Sequence, residues 1–186
     1  GPRLASETRK DLGIRVPPHN VEAEASLLGA MLLSRDAIAD ALEVVQVEHF
    51  YKPSYAHVFE AICGLYAIGE PADPVTVAEA LDRAGVLDAI GGSGTLLELQ
   101  ATTPATSSAR NYARIIQEHA TLRSLIEAAN QIAEISYGRP DDVVKAVDEA
   151  EGLVFQVGQG RSSDTMGLMR DLLDANLDRL EELYSR

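Results

Sequence analysis

From Pro104 to the end of the chain, the sequence permits little besides helix. Ile115, His119, Leu122, Ile126, Ala129 and Ala133 recur at helical spacing, and a second apolar row (Ile116, Leu125, Ile132, Ile135) lies on a neighbouring face. With Ser107 or Ser108 as the expected N-cap, the helix should run from about Ala109 to Tyr137, roughly 43 Å at 1.5 Å per residue. Gly138-Arg139-Pro140-Asp141 then reads as stop, turn and restart. The returning segment carries Val143, Val147, Ala150, Val154 and Val157 at alternating steps of four and three. Two antiparallel helices joined by so short a turn form a helical hairpin. Its longer arm is apolar on two faces, and one partner helix can cover only one of them. The other must meet the globular part, a second copy of the chain, or a different protein.

The same periodicity governs the first hundred residues. Residues 1–16 read as a tail, its opening Gly-Pro taken as the remnant of a cleaved tag and left out of the fold argument. Pro17 and Pro18 end it, and Asn20 is placed to cap a helix with Glu22 and Glu24 in its first turn and Val21, Ala25, Leu28 and Leu32 on its apolar side. A short helix from about Asp36 to Val45 buries Ile38, Ala41, Leu42 and Val45. After Pro53, the residues Tyr55, Phe59, Ile62 and Tyr66 form one stripe, read as core. Asp73-Pro74 starts the next helix, with Val77, Leu81 and Ala84. Gly158 to Ser163 reads as a small-residue linker, after which Asp164 caps a last helix bearing Met169, Leu173, Leu177, Leu180 and Tyr184. The expected architecture is all-α: a compact helical domain over residues 17–106, a hairpin over 107–158, a linker over 159–164 and a terminal linker helix over 165–186.

Composition narrows the function. Apolar residues make up 46% of the 186, enough for a packed core. No run approaches the roughly 18 consecutive apolar residues of a membrane span. A net charge of −13 is the wrong sign for a surface that grips nucleic-acid phosphates. The single cysteine, Cys63, excludes an intrachain disulfide and fits a reducing compartment.

Catalytic patterns are missing. The three lysines, Lys10, Lys52 and Lys145, follow Arg9, Tyr51 and Val144, so no Gly-Lys-Ser/Thr phosphate loop is present. Gly91-Gly92-Ser93-Gly94 follows a helix rather than a strand and reads as a turn. His19, His49, His57 and His119 are scattered, show no metal-ligand spacing with Cys63, and form no paired Glu-x-x-His motif. Asp141-Asp142 and Glu181-Glu182 serve as capping or solvated acids. No catalytic, cofactor or metal residue is expected. Candidate contact residues are instead apolar: Leu122, Leu125, Ile126, Ile132 and Ile135 on the long arm, and Leu173, Leu177 and Leu180 on the last helix.

Taken in order, Pro17-Pro18-His19-Asn20-Val21-Glu22-Ala23-Glu24, Leu28-Gly29, His49-Phe50-Tyr51, Gly69-Glu70-Pro71-Ala72-Asp73, Val75-Thr76-Val77, Gly91-Gly92, Pro104 and Tyr112-Ala113-Arg114-Ile115-Ile116 are similar to the N-terminal part of DnaB-type replicative helicases. The resemblance runs from Arg15 to Arg186. Four positions depart from the family pattern: Ala25 for glutamine, His119 for lysine, Ser108 for asparagine, and Thr95 for a frequent aromatic near the hairpin's base. The resemblance implies a non-catalytic collar in which hairpins assemble dimers, and three dimers a hexamer. It implies docking of primase, through the primase C-terminal domain, and of a helicase loader. ATP and Mg, with 5′→3′ translocation on single-stranded DNA, belong to a C-terminal domain of the full-length ring, on which the linker helix packs. A cytoplasmic place at the replication fork follows from the same resemblance. The alternative is a freestanding helical adaptor of the same fold without an ATPase.

Overall fold

The computed structural model describes residues 15–185, and for residues 160–172 the backbone alone. The described residues form seven α-helices and no strand: α1 (Val21–Leu33), α2 (Arg35–Leu42), α3 (Pro53–Ala67), α4 (Pro74–Arg83), α5 (Ser93–Ala101), α6 (Ala109–Tyr137) and α7 (Val143–Tyr184). Single 3-10 turns at Val47–His49, Asp88–Ile90 and Thr106–Ser108 link them. The fold class is all-helical, as the periodicity requires.

Side-chain caps fix the helix starts. Asn20 Oδ1 accepts from the Ala23 amide at 2.9 Å, and Ser34 Oγ from that of Ala37 at 3.3 Å. Asp73 accepts from the Val75 and Thr76 amides while its own amide donates to Thr76 Oγ1, a reciprocal box ahead of Pro74. Ser108 differs from expectation. It makes no capping bond, and α6 is entered through the preceding 3-10 turn instead.

Helix α1 is the centre of the head. The sequence reading gave it one apolar side, yet Leu27, Leu28, Ala30, Met31 and Leu32 are all buried, because α2, α3, α5 and α6 surround it. Its almost unbroken run from Ala25 to Leu33 is the pattern of a helix enclosed on all sides. Gly29 is where α5 comes closest. A Cβ there would overlap Thr103 Oγ1 and the carbonyl oxygen of Leu99. Phe59 and Ile62 are buried and Tyr55 and Tyr66 pack on the core, so the aromatic stripe is core as expected. Leu42, assigned to the buried face of α2, is instead exposed, since α2 ends there and Val45 closes the core.

The hairpin grows out of this head. Ala109, Ala113, Ile116 and Ala120 sink the first three turns of α6 into the core, and later turns project to meet α7. At the turn, Gly138 keeps right-handed geometry and Arg139 takes the left-handed one (φ 50°). Asp142 then caps α7 by accepting from the Lys145 amide at 3.0 Å. The linker expected over 159–164 is not a break: α7 runs unbroken as 42 residues, so the expected terminal helix is its distal part. Gly158 and Gly160 each disfavour helix by about 1 kcal/mol relative to alanine, but no proline stops it. The Asp164 cap and Met169 lie outside the described side chains.

Candidate functional site

The two arms meet along a seam of mixed polar and apolar residues. Ser124, Ala128 and Gln131 of α6 line a shared cleft with Leu153, Gln156 and Val157 of α7. On α7 the half-buried positions are Ala146, Ala150, Leu153 and Val157. Val143, Val147 and Val154, which the sequence reading placed in the seam, are exposed. The spacing was right and the rotation was off by less than a quarter-turn.

This rotation decides what faces outward. Of the candidate contact residues, Leu122, Leu125 and Ile126 are between 42% and 48% exposed, on adjoining turns of α6. Ile132 and Ile135 are half-buried towards the seam. At 100° per residue the exposed α6 row lies about 145° from Ser124, Ala128 and Gln131, and the exposed valines of α7 lie about 70° from the residues that face α6. Exposed apolar side chains thus stand on both arms: Leu122, Leu125 and Ile126 on α6, and Val143, Val147 and Val154 on α7. Leu173, Leu177 and Leu180, between 51% and 59% exposed, form a separate stripe on distal α7.

A polar network lies at the hairpin root, and it uses residues that sequence reasoning assigned otherwise. Glu24, read as a first-turn acid complementing the dipole of its own helix, is 2% exposed. Its carboxylate accepts from the Tyr51 and Lys52 amides at 3.1 and 3.2 Å, which caps α3 from 27 residues away. Burial raises its pKa above the ordinary carboxylate value, outweighing these two donors and the attraction of Arg123 and His19. Arg123 of α6 donates to the carbonyls of Pro18 and His49, both at 2.7 Å. Nothing in the local sequence marks Arg123. Glu24 had a signal, being an acid at the head of an apolar run, where a charge needs buried partners.

The other sequence-level candidates are structural. His119 Nδ1 lies 2.8 Å from the Ile115 carbonyl within its own helix. Gly91 and Gly92 both have positive φ, and Gly92 precedes α5 directly. Among the described residues no group of three or more His, Cys, Asp or Glu side chains could hold a metal. No described helix is long and apolar enough to cross a membrane.

A family model for the DnaB-like helicase N terminal domain matches residues 16–118, which cover the head and the root of α6. The chain belongs to this DnaB-like family. It is 43% identical over 178 residues to the replicative DNA helicase DnaB of Mycobacterium leprae (strain TN), covering 95% of this chain and 29% of that protein. With the replicative DNA helicase DnaC of Bacillus subtilis (strain 168) it shares 34% identity over 175 residues, 94% of this chain and 38% of the other. The crystal structure of the N-terminal domain of DnaB helicase from Mycobacterium tuberculosis superposes with a TM-score of 0.73 at 45% identity, covering 76% of this chain and 99% of that one. A structure describing a DnaB-like replicative helicase and its interactions with primase matches with a TM-score of 0.61 at 25% identity, over 74% of this chain and 31% of that one. The chain thus spans well under half the length of the curated relatives it matches. In this DnaB-like head, the family motifs have physical tasks: His19, Glu24, His49 and Tyr51 build the hairpin root, and Gly29 admits α5.

Proposed function

We propose that this chain is the non-catalytic collar region of a replicative DNA helicase, which joins subunits through its hairpin and presents docking surface to primase. The observation that carries the reading is the set of exposed apolar side chains on the hairpin, Leu122, Leu125 and Ile126 on α6 with Val143, Val147 and Val154 on α7. Leucine, isoleucine and valine side chains left exposed on a helical hairpin are the surface that a second hairpin covers to make a four-helix packing. The two-fold copy supplies the same surface in return, so the contact is self-complementary. Ile132 and Ile135 flank this surface at the seam, and Leu173, Leu177 and Leu180 give distal α7 a contact of its own with a neighbouring subunit's ATPase domain. In the assembled ring, three such dimers form the collar, with primase and a helicase loader docked on it. The collar itself needs no cofactor. ATP, Mg and single-stranded DNA act at the C-terminal domain, in the cytoplasm at the replication fork.

Sedimentation of the purified chain tests this. The wild type should sediment as a dimer or larger, and Leu122→Asp with Ile126→Asp should yield a monomer with an unchanged helical spectrum. In parallel, the primase C-terminal domain should bind the wild-type chain in a calorimetric titration. A wild type that stays monomeric at high micromolar concentration and ignores primase would overturn the reading.

A further inference from the structure

Two irregular segments meet at the hairpin root: the N-terminal arm, residues 15–20, and the stretch before α3, residues 46–52. No backbone hydrogen bond joins them among the described residues. One guanidinium reaches both. Arg123 Nη1 donates to the Pro18 carbonyl and Nη2 to the His49 carbonyl, each at 2.7 Å. Its guanidinium carbon lies 5.4 Å from the centre of the Tyr51 ring. His19 of the arm stacks on that same ring, centroids 4.2 Å apart and planes within 12° of parallel. The amides of Tyr51 and Lys52 are held in turn by buried Glu24.

We propose that Arg123 is a latch that holds the arm and the 46–52 segment as one unit, so that removing it loosens both together. The chemistry favours arginine. A planar fork aims two charge-assisted donors at two carbonyls and keeps a flat face for the tyrosine ring, which a single ammonium cannot do at once. The latch sits on the turn of α6 that carries Leu122, Leu125 and Ile126. It rests on the geometry of the root and not on the docking role proposed above, so either can fail without the other.

The chain has no tryptophan, and Val16 is 67% exposed, so Val16→Trp provides a single fluorescent reporter on the arm. Time-resolved anisotropy of that reporter and hydrogen exchange at the Tyr51 and Lys52 amides are measured with Arg123 intact and in Arg123→Lys, Arg123→Gln and Arg123→Ala. In Arg123→Ala the arm should gain nanosecond mobility while the Tyr51 and Lys52 amides exchange about tenfold faster or more. Arg123→Lys should fall between, and the buried α1 amides from Leu27 to Leu32 should keep their protection throughout. Should Arg123→Ala fail to fold, the lysine and glutamine variants carry the same comparison. An arm that loosens while Tyr51 and Lys52 exchange unchanged, or two segments that ignore the substitution, would overturn the latch.

Discussion

Replacing Glu24 tests the account of the head most severely, because the structure makes it both a buried charge and a cap. In Glu24→Ala, the amides of Tyr51 and Lys52 lose their acceptors. Each unmade bond costs about 1–3 kcal/mol, offset in part because no carboxylate is desolvated, for a net loss of about 2–4 kcal/mol. For a chain of this size that lowers Tm by roughly 5–12 °C. Glu24→Gln is subtler: one carbonyl oxygen can serve one amide, but its NH2 group faces the other donor. Its value lies in the pH dependence. Burial raises the Glu24 pKa in the folded state, so the fold keeps this proton where the unfolded chain has lost it. The stability this group contributes is fully present below the unfolded value and is lost as pH rises through the folded one. Calorimetric melts from pH 4 to pH 7 should therefore show wild type losing stability relative to Glu24→Gln. A wild type that instead gains stability over Glu24→Gln as pH rises would show that the two amides and Arg123 outweigh desolvation, and would refute the reasoning.

Further substitutions probe separate contacts. Gly29→Ala should destabilise by about 2–4 kcal/mol in denaturant melts, as an overpacked core site does. Adding Thr103→Ala should recover only part of that, since the Leu99 carbonyl oxygen is backbone and cannot step aside. Gly92→Ala places a side chain at φ 81°, ψ −177°, a region essentially confined to glycine, and should cost about 1–3 kcal/mol. Burial and the neighbouring Glu60 carboxylate push the Cys63 thiol up to about 11. Its alkylation by iodoacetamide at pH 8 should therefore run roughly two orders of magnitude slower than that of free cysteine and quicken as pH rises.

Much of the head was legible because its signals are local. Asn20 and Asp73 each cap a helix within three residues of themselves, so the chain itself announces those starts. Glu24 and Arg123 were not legible in the same way. Their partners lie 27 to 105 residues away, and their roles exist only once α1, the turn before α3 and α6 are packed together. The break expected near Gly158 failed for the opposite reason. A local propensity of about 1 kcal/mol per glycine was allowed to decide what 42 residues of continuous helix decide jointly.

The hairpin shows why periodicity finds a face but cannot say what the face meets. The longer arm offers two apolar rows, and spacing ranks them equally. The head breaks the tie. By burying Ala109, Ala113, Ile116 and Ala120 it fixes the rotation of α6 about its own axis. On a helix of 3.6 residues per turn, that rotation points Leu122 and Ile126 away from the head. The flank left for α7 is the one bearing Ser124, Ala128 and Gln131. The bulkier row is then left more than two-fifths exposed among the described residues. Leaving a leucine or isoleucine half in water forgoes part of the about 1.5–3 kcal/mol that full burial would bring. On the proposed reading, hairpin association recovers that free energy. The residues that root α6 in the head therefore also set the direction in which Leu122 and Ile126 point.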